Sequence, residues 1–233
     1  LYRFTNKFKI DSSIKIVVLG DGRVAQGAVE LLESFNIKKV AVDDYINKKF
    51  NGPCFCQLSV TDYIRKKDKK PFKQEEYFSN PEAFQSNFDM FSDKTDILIN
   101  AAYWDPRSPR LFEEDDINEN FKPKIIGDIS CDINGAIPCT KKASTIEKPF
   151  FDYCIKTKKI EGPFNKEDNI TIMSIDNLPS ELPRDSSRYF GNILVEKILP
   201  LLGLEGNEII ENATSTKNGE LTEKFKYLSD YII

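Results

Sequence analysis

The chain has 233 residues, of which 40% are hydrophobic and 30% charged, a composition that supports a packed core and excludes a disordered chain. Its 33 basic and 37 acidic side chains give a net charge of −4, which argues against a dedicated nucleic-acid binder. No apolar run approaches the roughly 18 residues that a membrane span requires. Because the chain contains no histidine, a histidine base, a catalytic triad and a histidine metal site are excluded within it.

The cysteines also bear on the class of protein. There are five, at positions 54, 56, 131, 139 and 154, and only the first two are close in sequence. One C-x-C pair without a second pair is poor support for zinc, so we expect no metal site. An odd number of cysteines without a signal peptide indicates reduced thiols and a cytoplasmic protein. The start at Leu1, without methionine, suggests part of a longer protein.

The first elements predict a βαβ unit after a polar lead-in segment, residues 1–13. Residues 14–19 are a short, β-branched apolar run that ends at a glycine, which is typical of a buried strand. Apolar positions recur at helical spacing over residues 24–35 and predict an amphipathic helix. Residues 39–42 predict a second strand that stops at Asp43. Such a unit has parallel strands and a right-handed crossover.

The remaining elements extend this pattern. Residues 47–92 are irregular, with a solvated charge run and aromatic residues that suit helix faces packed on a sheet. Strands are predicted at residues 96–100, 124–129, 170–175 and 209–213, and helices at 183–202 and 221–231. We therefore expect an α/β fold, a Rossmann-like doubly wound parallel sheet with helices on both faces, in a domain of residues 14–190. Residues 191–233 form a separate C-terminal segment.

The glycine turn carries the most specific motif. Gly20-Asp21-Gly22-Arg23-Val24-Ala25 matches G-x-G-x-x-G/A between a strand and a helix, the pattern that cradles a pyrophosphate on a helix N-terminus. Asp43 follows Gly22 by 21 residues, near the spacing of the acid that binds the ribose 2′-hydroxyl. That carboxylate favours NAD over NADP, with NADP still possible. The alternative is a glycine turn that binds no dinucleotide.

Polar residues end three further predicted strands, at Asn100, Asp128 and Asp176. Ligands of open parallel sheets lie outside the carboxyl ends of the strands, so these residues are candidates for the site. Asp176 could bind a substrate amine or the nicotinamide ribose, or could cap a helix. Asp128 could equally be held by loop N–H groups, and Arg23 could pair with cofactor phosphate or lie on the surface.

Three segments carry a resemblance to a known family. They are residues 96–106 (DILINAAYWDP), 127–132 (GDISCD) and 174–179 (SIDNLP) with LPR at 182–184. The chain resembles the lysine-forming saccharopine dehydrogenases and lysine–oxoglutarate reductases, which are grouped with alanine dehydrogenase and transhydrogenase-like proteins. The resemblance runs from about residue 14 to the C-terminus. It implies a two-domain oxidoreductase of lysine metabolism, with hydride transfer between NAD(H) and the C–N bond of saccharopine or its imine.

The resemblance also implies roles for residues of this chain. It places the cofactor on Gly22, Arg23, Asp43 and Tyr103, and places a further set beside the nicotinamide: Ile175, Asp176 and Leu178. To these the sequence adds Gly20, Val24 and Asp128 as cofactor-binding candidates, with Asp176 as the substrate-binding candidate. The family's acid–base lysine and histidine belong to an N-terminal substrate domain, so we expect no catalytic residue here.

The expected partners are therefore an amino-acid substrate and the N-terminal domain, and we expect residues 191–233 to pack against that domain. We expect the chain to bind neither nucleic acid nor a membrane. Two alternatives stay open. One is another amino-acid dehydrogenase of the superfamily, acting on alanine or lysine. The other is a dinucleotide-sensing module without catalysis.

Overall fold

The computed structural model describes residues 13–204 and 206–231, so nearly all of the predicted lead-in segment lies outside the described residues. The chain divides into two compact units, one that ends at Asn177 and one that begins at Leu178. The division falls before the boundary after residue 190 that the sequence suggested. In the described part of the chain, no helix combines the length and apolar character that crossing a membrane requires.

A single sheet of eight strands organises the first unit, in the order β2-β3-β1-β6-β7-β10-β8-β9. Its strands are β1 (Lys15–Leu19), β2 (Lys38–Lys39), β3 (Cys54–Leu58), β6 (Ile97–Asn100), β7 (Ile125–Asp128), β8 (Phe150–Cys154), β9 (Lys159–Glu161) and β10 (Ile170–Met173). A separate antiparallel pair consists of β4 (Ile64–Lys66) and β5 (Phe84–Ser86).

Short helices connect these strands. They are α1 (Arg23–Ser34), α2 (Val42–Asn47), α3 (Val60–Tyr63), α4 (Gln74–Ser79) and α5 (Asp89–Ser92), with 3₁₀ turns at Pro81–Ala83 and Glu114–Asp116. Among these five helices of the described first unit, only α1 exceeds six residues, so much of the sheet is covered by short helices and loops rather than by long crossover helices.

The strands from β2 to β10 in the sheet order are parallel, and β8 and β9 extend one edge as antiparallel strands. The predicted α/β, Rossmann-like fold is confirmed. The antiparallel edge was not predicted, and neither was β3, which fell within the stretch interpreted as irregular. Because six strands run the same way, their carboxyl ends share one edge of the sheet.

Alternating residues of β1 pack on the two faces of the sheet. Ile16 and Val18 belong to the cluster that includes Ala25 and Val29 of α1. Val17 and Leu19 belong to a second, larger cluster, which contains Tyr45 and four buried aromatic side chains of the middle stretch: Tyr63, Phe84, Phe88 and Phe91. The prediction that these aromatics pack on the sheet is therefore largely confirmed, although Phe78 is exposed.

The predicted strand at residues 39–42 is wrong. The strand β2 covers only Lys38–Lys39, and α2 begins at Val42 with Asp43 and Asp44 in its first turn. Acidic residues there interact favourably with the free N–H groups of a helix, which favours helix over strand. The strand β2 also pairs with β3 and not with β1.

The predicted strand at residues 209–213 is also wrong, because α7 (Glu208–Ala213) occupies it. The Asn207 Oδ1 atom accepts hydrogen bonds from the N–H groups of Ile209 and Ile210, at 3.1 and 3.2 Å. An asparagine N-cap thus overrides the β-branched pair. The predicted helix at 183–202 is divided into α6 (Pro183–Ile193), a π-helical turn at Leu194–Ile198 and a 3₁₀ turn at Leu199–Leu201.

The second unit also contains 3₁₀ segments at Leu178–Glu181 and Glu223–Tyr231 and a small antiparallel pair, β11 (Thr216–Lys217) and β12 (Glu220–Leu221). None of its described residues is buried. It nevertheless exposes many large apolar side chains: Leu182, Tyr189, Phe190, Leu194, Val195, Leu199, Leu202, Leu204, Ile209, Tyr227 and Tyr231. The part of this unit that the structure describes therefore forms no buried core.

Asp152 in β8 should be a main determinant of stability. Its fully buried carboxylate accepts hydrogen bonds from Thr171 Oγ1 (2.7 Å) and from the N–H groups of Phe164 (3.0 Å) and Asn165 (3.1 Å). An Asp152→Asn substitution turns an NH₂ group toward these donors, and we expect it to lower the free energy of unfolding by about 2–3 kcal/mol in urea denaturation. The control Asp168→Asn, at a side chain 78% exposed, should change it by less than about 0.5 kcal/mol. Equal effects would contradict the assignment.

Candidate functional site

The candidate site lies where the chain changes direction across the sheet. After β1 the chain goes first to the edge strand β2 and then back to β3 beside β1, and it later crosses to the other side of β1 at β6. In open α/β sheets, ligands bind outside the carboxyl ends of the strands at this switch point. The turn after β1 and the loops after β6, β7 and β10 meet there.

The turn after β1 requires glycine at its first position. Gly20 has φ +102°, and a Cβ atom there would lie 2.9 Å from the carbonyl oxygen of Ala101 and 3.2 Å from Cα of Ala102. The Gly20 N–H donates to the carbonyl oxygen of Leu58 at 2.9 Å, which ties the turn to the end of β3. Gly20 therefore lets the turn pack directly against the chain that leaves β6.

The N-terminus of α1 is open to an anion. Its N-cap, Gly22, has no side chain to bond the first-turn N–H groups, and that turn contains no acidic residue. A Cβ atom at Gly22 would meet no atom of the described residues within 4 Å. Unpaired N–H groups and the helix dipole favour negative charge at this position. The side chains of Arg23 and Val24 are exposed beside it.

Asp128 joins the ends of β6 and β7. Its buried carboxylate accepts hydrogen bonds from Asn100 Nδ2 (2.8 Å), Thr140 Oγ1 (2.6 Å) and the Cys131 N–H (3.3 Å). Burial raises the pKa of Asp128 above its ordinary value, although these hydrogen bonds act in the opposite direction. Because these donors occupy the carboxylate, Asp128 positions the strand ends.

The loop after β7 extends these contacts to its neighbours. Ser130 Oγ donates to the carbonyl oxygen of Ala102 at 2.7 Å, and Cys131 Sγ donates to that of Ser174 at 3.1 Å. Burial raises the pKa of the Cys131 thiol, and the charges of Asp128, Asp176 and Asp132 raise it further. Of these acids, Asp128 also accepts a hydrogen bond from the Cys131 N–H, at 3.3 Å.

The other candidate residues differ in position. Ile175 is buried and pairs with Ser144 in an isolated bridge, whereas Asp176 next to it is exposed. Tyr103 is 87% exposed. Leu178 belongs to the second unit.

Asp43 does not lie at the end of a strand next to β1. It is exposed in the first turn of α2, after β2, and β3 separates β2 from β1. At the usual strand spacing β2 lies about 10 Å from β1. The strand beside β1 on this side is β3, and the segment that follows it begins at Ser59.

Two residues near the glycine turn were not predicted from the sequence: Gln57, which contacts the turn, and Lys39, which contacts Gln57. Gln57 Nε2 donates to the carbonyl oxygen of Gly20 at 3.0 Å, and Lys39 Nζ donates to Gln57 Oε1 at 2.8 Å. The apolar run at residues 54–58, between a proline and a serine, was the signal that could have predicted this strand.

The family model for the C-terminal domain of alanine dehydrogenase/PNT matches residues 7–224. This chain belongs to that family. The match covers nearly the whole chain and confirms the resemblance on which the sequence analysis relied.

Named relatives carry the resemblance further. Mitochondrial alpha-aminoadipic semialdehyde synthase of Rattus norvegicus is 29% identical over 92% of this chain and 27% of its own length. The Arabidopsis thaliana alpha-aminoadipic semialdehyde synthase is 28% identical over 74% of this chain and 17% of its own length. Saccharopine dehydrogenase [NAD(+), L-lysine-forming] of Emericella nidulans is 24% identical over 88% of this chain and 46% of its own length. The chain thus spans from about a sixth to less than half of these relatives.

The packing at Gly20 can be tested by adding one methyl group. Gly20→Ala places a Cβ atom against the Ala101 carbonyl and forces a non-glycine residue to positive φ. We expect the free energy of unfolding to fall by about 1–3 kcal/mol in urea denaturation. Gly27→Ala is the matched control, because Gly27 lies within α1 with nothing within 4 Å of its added Cβ. It should raise stability by up to about 1 kcal/mol. An equally tolerated Gly20→Ala would refute the packing argument.

Proposed function

We propose that this chain is the dinucleotide-binding part of an oxidoreductase of lysine metabolism, which transfers hydride between a nicotinamide dinucleotide and the C–N bond of saccharopine or its imine. The observation that carries the proposal is the Gly20–Gly22 turn, which is packed against β6 and opens onto the free N-terminus of α1 at the switch point of the sheet. The names of the relatives support lysine chemistry.

The residues present fit a dinucleotide. The N–H groups at Gly22, Arg23 and Val24 would bind the pyrophosphate, since no side chain caps them and the space beyond Gly22 is open. The nicotinamide end would lie toward Ile175 and Asp176, near the loops that Asp128 holds in register. When bound, the nicotinamide supplies or accepts the hydride.

The residues of this chain contribute positioning and electrostatics in this proposal. The exposed carboxylate of Asp176 would bind a cationic amine of the substrate, and the buried side chain of Ile175 would keep water from that side of the site. Tyr103 would pack against the cofactor from the loop after β6. Each of these roles needs only a side chain already at the carboxyl edge of the sheet.

We propose that the acid–base groups and the substrate pocket belong to another domain of a longer protein. The described relatives are longer than this chain, and the chain contains no histidine. The exposed apolar side chains of the second unit support the proposal that residues 191–233 pack against that domain.

The sequence favoured NAD on the strength of Asp43 alone. The position of Asp43 in α2, two strands from β1, removes the geometric support for that preference. The proposal therefore covers both NAD and NADP.

Dinucleotide binding is tested by placing a carboxylate in front of α1. Gly22→Asp should keep the fold, because its Cβ meets nothing and aspartate is a good N-cap. We expect it to weaken binding of both NADH and NADPH at least about tenfold, since the new charge repels the pyrophosphate and occupies its N–H donors. The measurement is quenching of Trp104 fluorescence, the only tryptophan, with energy transfer to the reduced nicotinamide.

Gly27→Asp is the matched control, because it introduces the same side chain at an exposed position within the same helix. It should change either dissociation constant less than about threefold. Saturable binding that is lost only in Gly22→Asp supports the site. Unchanged binding in Gly22→Asp, or no binding by the folded wild-type chain, would overturn the proposal.

The division of labour between domains gives a second prediction. The 233-residue chain should bind reduced dinucleotide yet show no oxidation of saccharopine, followed as absorbance of NADH or NADPH at saturating oxidised cofactor. Measurable saccharopine oxidation by this chain alone would show that it contains the acid–base groups after all.

A further inference from the structure

We infer that Lys39, and not Asp43, governs how this site discriminates between dinucleotides with and without a 2′-phosphate on the adenosine ribose. This inference rests on the proposed dinucleotide site and names its selectivity residue. It follows from the strand order, two side-chain hydrogen bonds and the charges at the carboxyl edge of the sheet.

The strand order fixes which segment borders the ribose. In a sheet of this type, a dinucleotide bound at the glycine turn places its adenosine ribose at the carboxyl end of the strand that borders β1 on the side away from β6. That strand is β3, whose Leu58 pairs with Leu19 and accepts from the Gly20 N–H at 2.9 Å. The helix α2, with Asp43, follows β2 on the outer side of β3.

A chain of two hydrogen bonds links Lys39 to the glycine turn. Lys39 Nζ donates to Gln57 Oε1 at 2.8 Å, and Gln57 Nε2 donates to the carbonyl oxygen of Gly20 at 3.0 Å. Lys39 starts from β2 but extends along the sheet toward its carboxyl end, because Lys39 is paired with Phe55 while its ammonium reaches Gln57. The ammonium is thus one amide side chain away from the turn.

Lys39 and Gln57 lie on the same face of the sheet as α1. Gln57 pairs with Val18 and Lys39 pairs with Phe55, and both partners belong to the cluster that α1 covers. The preceding residue, Lys38, is directed to the other face, where it pairs with Cys54. Two adjacent lysines therefore present their charges on opposite sides of the sheet.

The first acid after β3 is already used within its own helix. Asp62 Oδ2 accepts from the Ser59 N–H at 2.7 Å and from Ser59 Oγ at 2.9 Å, which completes the capping box of α3. The Oδ2 atom of Asp62 is therefore engaged in the first turn of α3. The Lys39 ammonium is the charge that the two hydrogen bonds tie to the turn at this end of β3.

Charge at Lys39 acts selectively because NADPH differs from NADH only by the 2′-phosphate. A cation close to that group stabilises NADPH and leaves NADH nearly unaffected, whereas an anion there repels the phosphate. The ratio of the dissociation constants for NADPH and NADH therefore reports on this position alone, since effects on the shared pyrophosphate cancel.

The test compares this ratio in the wild-type chain and three variants by Trp104 fluorescence titration at fixed ionic strength. In Lys39→Glu the ratio, NADPH over NADH, should rise about tenfold or more. Lys38→Glu makes the same change of charge on the other face of the sheet and should alter the ratio less than about threefold. Asp43→Asn should also leave the ratio within about threefold of wild type. Circular dichroism and urea denaturation verify that each variant is folded.

The outcomes separate this inference from the function on which it rests. A large change in Lys39→Glu alone supports the inference. An unchanged ratio in Lys39→Glu, an equal change in Lys38→Glu, or a marked fall of the ratio in Asp43→Asn overturns it while dinucleotide binding stands. Failure of the folded wild-type chain to bind either dinucleotide overturns the proposed function, and the selectivity role of Lys39 falls with it.

Discussion

At Gly20 the chain passes so close to the end of β6 that a single methyl group would lie 2.9 Å from the Ala101 carbonyl oxygen. This approach brings the turn after β1 into direct contact with the first strand on the other side of the switch point. The position of the α1 N-terminus follows from it, because the helix begins only three residues later. The free N–H groups of α1 are thus held at the crevice by backbone packing.

From that contact a continuous set of polar bonds runs along the carboxyl edge. Ser130 reaches the backbone of Ala102, Asp128 binds Asn100, and Cys131 reaches the backbone of Ser174. These bonds connect the loops after β6, β7 and β10 without using the exposed carboxylate of Asp176. The bond between Asp128 and Asn100 is buried and the other two are partly buried, so this edge is organised before any ligand binds.

The two units differ in what holds them together. The first has two apolar clusters, one on each face of its sheet, and a buried carboxylate, Asp152, that ties its antiparallel edge to β10. The described residues of the second are all at least partly exposed, although its helices carry many large apolar side chains. The chain belongs to a family in which the relatives named above are longer than it is. Apolar side chains at this density are typical of surfaces that pack against other protein.

Local signals along the chain are enough to predict the strands β1, β6, β7 and β10, the helix α1 and the glycine turn. Each depends on local signals: an apolar run for the strands, helical spacing for α1, and a residue without Cβ for the turn. The family resemblance could also be recognised from the sequence, since each of its motifs is a short continuous segment. The same local signals gave a wrong prediction after residue 39. There a short apolar run followed by acidic residues predicts the end of a strand, but the acids form the first turn of α2.

Which strand lies between β1 and β2 depends on contacts between distant parts of the chain. Spacing along the chain assigned the ribose position to Asp43, because it assumed that the next strand in sequence is also the next strand in space. The insertion of β3 between β1 and β2 depends on long-range pairing, such as Val17 with Cys56, that no local pattern encodes. The same pairing brings Gln57 to Gly20 and Lys39 to Gln57. The position of the Lys39 ammonium near the glycine turn therefore depends on the order of the strands, and packing of the whole sheet sets that order.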